Sequence, residues 1–242
     1  MRPLALKLDR PLAIGLLVLA ASALLLIVGL VSVFTALGDD GADLPQQGTI
    51  DQILDETSQG DSSSLAGDAP AGPPPPAPVR FAIPRLYIDA PVVAKGLTPE
   101  NYPEVPDRPD QVAWYPFTAA PGQSSNAVFS GHVDWQTRTG DPIPGVFYRL
   151  REMELGDIID VTLEDGTKLE YRVTGNVATP YDDPNVVKVM QSTDRDVITV
   201  ITCGGSWIRD PGAAYGGSYS HRVVVRAERT QGLAESGSGG GG

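Results

Sequence analysis

One cysteine and two histidines are all that 242 residues offer for thiol, imidazole or soft-metal chemistry. A single thiol excludes a disulfide framework, a Cys-rich zinc site and an iron–sulfur cluster. Two histidines leave little for a metal centre, so neither metal nor cofactor is expected. Basic residues are also scarce: 18 Lys and Arg stand against 30 Asp and Glu, a formal net charge of −12. That excludes a nucleic-acid partner, because phosphates are neutralised by clustered Lys and Arg. Within residues 80–229 no segment has a long apolar period of 3.6 residues, so a helical architecture has no support there.

Charged residues are absent from Pro11 to Leu37. A helix of that length, at about 1.5 Å per residue, outspans the ~30 Å hydrocarbon core of a bilayer. Arg2, Lys7 and Arg10 precede the run, and Asp39 and Asp40 follow it. Basic flanks stay cytoplasmic, so residues 1–10 are expected inside and the remainder outside the cell membrane. Ala21-Ser22-Ala23 has the spacing of a signal-peptide cleavage site, but Leu24 to Val28 prolongs the apolar run beyond it. An uncleaved single-pass anchor over residues 11–37 is therefore expected. Residues 38–78 lack Phe, Trp and Tyr and hold Ser62-Ser63-Ser64 and Pro73 to Pro76. Such a stretch buries too little apolar surface to offset its ordering entropy. It is expected to be a disordered stalk, with at most one helical turn at Ile50, Ile53 and Leu54. Residues 230–242 end in Gly and Ser and are expected to be a disordered tail.

Residues 79–229 read as strands. Phe81 to Ile88 alternates, interrupted by Pro84, and Ala127 to Ser130 is a short apolar run. Ile159, Val161 and Leu163 alternate, as do Leu169, Tyr171 and Val173, with Asp165-Gly166 between them. That dipeptide predicts a tight hairpin with both turn residues at positive φ. Val197 to Thr202 is β-branched throughout, a buried strand by composition, and Val223 to Val225 is another. Phe147 to Met153 is expected to form a short helix. Many short strands with Pro- and Gly-rich links imply an all-β barrel or sandwich.

Cys203 follows the strand at 197–202 and precedes Gly204-Gly205. A strand end leading into glycines places a side chain at the rim of a sheet, open to a substrate backbone. A lone thiol outside the cell is a flag for reactivity. The bland alternative is a small buried hydrophobe, which is what most free cysteines are. His132, in Ser130-Gly131-His132-Val133-Asp134, also lies just past a short apolar strand. An imidazole is the natural proton carrier for a thiol; a structural histidine is the alternative. Asp134 orients the loop or is simply solvated. His221 and Arg222 open the last strand on opposite faces, so only one can face a site beside Cys203. A thiolate attacking an amide creates an oxyanion, and a guanidinium's forked donors suit it. Arg222 is one candidate, and Arg209, on the glycine-rich stretch after the cysteine, is its rival.

These residues, behind an outward-facing anchor, resemble the sortases, membrane-anchored cysteine transpeptidases of Gram-positive bacteria. The resemblance covers about residues 80–228. It rests on Phe81 to Val92, Pro121-Gly122 with Asn126, Gly131-His132-Val133-Asp134 and Phe147-Tyr148-Arg149-Leu150. Leu155-Gly156-Asp157, Ile201 to Gly205 and His221 to Val225 complete it. The Gly-His-Val-Asp and Thr-Cys-Gly-Gly forms are most similar to class F, typical of actinobacteria. The resemblance implies a closed eight-stranded antiparallel barrel with short helices and with Cys203 and His132 at one mouth. It implies Cys203 as nucleophile, His132 as acid and base, and an arginine as oxyanion or substrate clamp. Thr202 and Arg209 are implied as substrate contacts. Class F members carry their arginine about nine residues after the cysteine; that position is Gly212 here. Arg222 fits the position other classes use and is preferred over Arg209. The implied partners are exported proteins with a C-terminal Leu-Pro-X-Thr-Gly-like sorting signal and an amine acceptor from cell-wall peptide or pilin. Tyr181 to Gln191 is implied as part of the peptide-contacting loop. The stalk lacks the aromatic lid residue often found in pilus-building members.

With a thiol near pKa 8.5 and an imidazole near 6.5, the thiolate–imidazolium pair is about 1% of the enzyme at equilibrium. The two residues come from separate strand ends, so the expected resting state is thiol plus neutral imidazole. Two other readings remain: a Cys/His peptidase or amidase with water as acceptor, and a non-catalytic stalked surface-binding module.

Overall fold

The apolar alternation at residues 158–173 becomes a hairpin wall. In the computed structural model, which describes residues 44–57, 75–137, 139–212 and 216–230, Ile159, Val161, Leu169 and Tyr171 all face inward and are buried. Strands β8 (Ile158–Leu163) and β9 (Lys168–Pro180) pair antiparallel. Their turn differs from expectation. Gly166 takes φ +85°, but Asp165 does not have a positive φ. The Gly166 N–H donates to the Leu163 carbonyl (3.0 Å), and the Asp165 carboxylate accepts from Thr167 N–H (2.8 Å). Asp165 therefore serves as an Asx acceptor, and only the glycine needs left-handed backbone.

Pro84 divides the run at 81–88 by starting a 3₁₀ turn (Pro84–Leu86) between β2 (Pro78–Ile83) and β3 (Ile88–Ala94). Next come β4 (Val112–Trp114), β5 (Asn126–Ser130), β6 (Asp134–Gln136) and β7 (Pro142–Pro144). Helix α2 (Asn185–Lys188) and the long strands β10 (Val197–Arg209) and β11 (Gly217–Arg229) complete the domain. Phe147 to Met153 contains only a 3₁₀ turn at Leu150–Glu152.

Eight strands close in the order β9-β11-β10-β5-β4-β3-β2-β8, with β8 returning to β9. The barrel is mixed, not wholly antiparallel: β3–β4 and β5–β10 are parallel pairs. Parallel neighbours need long crossovers, which here carry residues 95–111 and the segments from β6 to α2. The interior is filled by Phe81, Phe129 and Phe147, with ring centroids 5.1 and 5.8 Å from Phe81, together with Ile198, Val200, Val223 and Val225. The outer faces of β9 and β11 are covered too: Val177 and Val224 pack with Val189 and Ile53. Burial on both faces explains why Val197 to Thr202 has no polar alternation.

Part of the expected stalk is ordered against the barrel. Residues 46–47 form a short strand, β1 (Gln46–Gln47), on β9, and α1 (Ile50–Thr57) follows. Thr49 and Gln52 form a reciprocal cap, each side chain accepting the other's backbone N–H (3.2 and 2.9 Å). Ile53 is buried at 3% exposure. The helix contains the turn expected at Ile50, Ile53 and Leu54; the polar average of residues 38–78 hid its extent and the strand before it. The expected anchor at 11–37, residues 58–74 of the stalk and the tail from 231 lie outside the described residues. Among the described residues, no helix is long and apolar enough to cross a membrane.

Candidate active site

Strand β5 and strand β10 run side by side only as far as Ser130 and Ile201. β10 itself continues through Cys203 to Arg209, so the rim is made by the end of β5, not by the end of the cysteine strand. Two hydrogen bonds tie the strands there: Gly131 N–H to Ile201 O (3.4 Å) and Thr202 Oγ1 to Gly131 O (2.8 Å). His132 and Cys203 are each the next residue beyond that tie. Gly131 must be glycine for this approach, because a Cβ would lie 2.6 Å from Val146 and 2.7 Å from the Phe147 ring.

Cys203 is half-buried and is the direct cross-strand partner of Arg222 on β11. Directly opposite residues share a face, so the antiparallel ladder alone sets the guanidinium beside the thiol. Arg222 in turn pairs with Thr179 of β9, where β11 is flanked on its other side. The Arg222 head folds back along its own strand. Its Nη1 donates to the carbonyls of His221 (2.9 Å) and Tyr219 (3.2 Å), and its Nη2 donates to Ser218 Oγ (3.3 Å). The Tyr181 ring lies 5.8 Å below it.

His132 is held differently. Its Nε2 lies 2.7 Å from Pro106 O, a carbonyl that can only accept, so Nε2 carries the proton and Nδ1 is the free nitrogen of the neutral ring. Trp135 meets the ring edge-on at 4.9 Å. No hydrogen bond joins His132 to Cys203. A small, shallow depression opens beside the thiol, walled by Val133, Phe147, Tyr148 and Arg151.

Burial pushes the Cys203 thiol up from its ordinary value; Arg222 pulls it down and Asp134 opposes that pull. The neutral thiol is therefore the favoured form. Asp134 accepts a hydrogen bond from Tyr219 Oη. The phenol is held well above its usual range, by burial first and by that carboxylate second.

The structure thus brings Cys203, Arg222 and the loop of His132 to one rim. It leaves Arg209 out: that residue pairs with Gly217 at the far end of β10, six residues on, roughly 20 Å along an extended strand. Thr202 lines the depression, but its side chain is buried at 4% exposure and its hydroxyl proton is committed to Gly131 O. His221 lies opposite Gly204, with Nδ1 2.8 Å from Ser220 Oγ. Pro106 had no sequence signal, since its contribution is a carbonyl. The Tyr219–Asp134 contact was half visible: Asp134 stood near the histidine, but nothing marked its partner. Among the described residues, no group of three or more His, Cys, Asp or Glu could hold a metal ion.

A β-barrel with a thiol and a guanidinium paired across two strands, and an imidazole at the same rim, defines a cysteine-dependent acyl-transfer enzyme. The sortase domain model matches residues 81–230, most of the chain, and the protein belongs to the sortase family of cysteine transpeptidases. No curated protein matches the sequence. Several solved sortases follow a similar path. Sortase C from Clostridium perfringens SM101 is 18% identical, with a TM-score of 0.45 over 75% of this chain and 89% of that one. The lid mutant of sortase A from Corynebacterium diphtheriae is 20% identical, with a TM-score of 0.46 over 75% and 93%. Sortase C-1 from Actinomyces oris is 19% identical, with a TM-score of 0.45 over 75% and 95%.

Proposed function

We propose that this enzyme is a membrane-anchored sortase, of class F by its Gly131 to Asp134 and Thr202 to Gly205 motifs, that sorts exported proteins bearing a Leu-Pro-X-Thr-Gly-like signal. The observation that carries the reading is the Cys203–Arg222 cross-strand pair with His132 at the same rim. The Cys203 thiol passes its proton to His132 as its sulfur attacks the Thr carbonyl and a C–S bond forms. Arg222 turns from its strand carbonyls to the oxyanion, where a planar fork suits both the oxygen and the extended peptide. The C–N bond to Gly breaks as His132, protonated, gives its proton to the departing amine. A cell-wall or pilin amine then attacks the thioester, loses its proton to His132 and releases the thiol. The apolar run at 11–37 would hold this chemistry on the outer side of the membrane. A resting neutral thiol suits the absence of a Cys–His hydrogen bond.

The test incubates the enzyme with a peptide carrying Leu-Pro-Ala-Thr-Gly and a diglycine amine, read by mass spectrometry. The expected result is a transfer product and a thioacyl adduct on Cys203, both lost in Cys203→Ala. Hydrolysed peptide without transfer product would replace this reading with a peptidase; an inert Cys203 towards both peptide and alkylating reagent would replace it with a binding module.

A further inference from the structure

The loop that carries His132 belongs to neither wall of the barrel. It leads into the ribbon β6–β7, a separate two-stranded sheet. One bond crosses from that ribbon to the strand of Arg222: Tyr219 Oη donates to Asp134 Oδ2. Tyr219 is joined to the other side as well, since its carbonyl accepts from Arg222 Nη1 at 3.2 Å. Trp207, its cross-strand partner at the tip of the hairpin, meets its ring edge-on at 5.2 Å. On the far side of the bond, Trp135 follows Asp134 directly and meets the His132 ring edge-on. A continuous chain of contacts therefore runs from Arg222 through Tyr219 and Asp134 to the residues that seat the imidazole.

We propose that Tyr219 is a positioning residue that acts through Asp134, clasping the carboxylate so that the histidine loop is fixed against β11 and the negative charge is engaged by the phenol instead of facing Cys203. Both partners are partly buried, where a charge-assisted hydrogen bond is strong. The charged and titratable groups around the thiol are Arg222 and Tyr219 from β11, Asp134 at the start of β6, His132 on the loop before it, and Tyr148 and Arg151 from the wall of the depression. Of these, Asp134 is the carboxylate, and its charge opposes formation of the thiolate. Without the phenol proton, the carboxylate loses its partner on β11, and its charge acts on the sulfur undiminished.

The test uses the full chain and three variants: Tyr219→Phe, Asp134→Asn and the double. The first readout needs no peptide: the pH dependence of Cys203 alkylation by iodoacetamide, a neutral reagent. Tyr219→Phe should move the alkylation midpoint to higher pH, and Asp134→Asn should move it to lower pH, each by about half a unit. In the Asp134→Asn background, Tyr219→Phe should move it no further. The second readout is transfer kinetics, which rests on the transpeptidase reading above. Tyr219→Phe should lower kcat about tenfold with KM within about twofold, because the imidazole is displaced but the peptide groove is not. Midpoints identical to wild type in both single variants would overturn the proposal. So would a Tyr219→Phe shift that persists with Asn at 134, or a loss of activity that merely tracks a lowered melting temperature. If the wild-type enzyme transfers nothing, the transpeptidase reading fails while the alkylation midpoints still decide the clasp.

Discussion

Cys203 and His132 sit at the same rim, yet they are held by different kinds of structure. Cys203 lies inside a thirteen-residue strand, and Arg222 faces it across an eleven-pair ladder with β11. His132 lies past the end of a five-residue strand, fixed by a proline carbonyl, a tryptophan edge and the bonds of its neighbours. A ladder fixes the relation of thiol and guanidinium by register alone, and a slip of one residue would invert their faces. A loop has no such register. His132 is thus the member of the site whose position is open to adjustment.

The sharpest challenge to this contrast is at the arginine. If register places the oxyanion donor, Arg222→Lys should cost about 100-fold in kcat/KM, because a point charge does not replace the fork. Arg209→Ala, at the far end of the ladder, should stay within about twofold of wild type. A larger loss for Arg209→Ala, measured by the same transfer assay, would mean that the hairpin folds back over the site and that register is not what selects the arginine. On the loop side, Gly131→Ala should destabilise by about 1–3 kcal/mol in urea unfolding, since the new methyl meets the fully buried Phe147. It should also lower kcat, because His132 follows directly.

The same contrast explains what was legible before any coordinates. Strand-borne features showed in the pattern: the β-branched run at 197–202, the alternation at 159–173 and the opposite faces of His221 and Arg222 all persist in the barrel. Cys203 and His132 were visible because their residue types are rare here; alternation set His221 and Arg222 on opposite faces, and the resemblance to sortases selected Arg222. Loop-borne features did not show. Pro106 acts through its backbone, and Asp165 bonds a neighbour's N–H instead of adopting positive φ. The resemblance implied Thr202 as a substrate contact, and its hydroxyl is bonded to Gly131 O. Two parallel pairings were missed because strand direction depends on crossover geometry that short apolar runs do not encode. The turn at Ile50, Ile53 and Leu54 was legible, but its extension to Thr57 and the strand at Gln46–Gln47 were not, because capping and one buried isoleucine outweigh a polar average.

The ladder also fixes how deeply the thiol is buried, and pH reads that out. Burial raises the Cys203 thiol above its unfolded value, so the folded state holds the proton more tightly. The sign follows from linkage: once pH passes about 8.5, the unfolded chain ionises first and stability falls. Wild type should lose more of its urea midpoint between pH 7 and pH 9.5 than Cys203→Ala does. Alkylation should accelerate steeply above pH 8 and show no thiolate plateau near pH 6. A plateau there would mean that the imidazole reaches the sulfur in solution and that the loop closes more than its hydrogen bonds indicate.

The smallest expected effect lies where the two kinds of support meet. Thr202 Oγ1 to Gly131 O joins the cysteine strand to the histidine loop with a single side chain. Thr202→Val keeps the shape and removes the donor, leaving the Gly131 carbonyl short of one partner, at a cost of about 1–2 kcal/mol. The two roles of this residue separate in the kinetics. A tie between strand and loop predicts a kcat lowered about threefold with KM unchanged, because only the imidazole moves. A substrate contact predicts the reverse, a raised KM with kcat retained. Burial of the side chain and the direction of its hydroxyl favour the first outcome; the second would require the barrel mouth to open and turn Thr202 outward when peptide binds, and the ladder would then be no more rigid than the loop it is meant to hold.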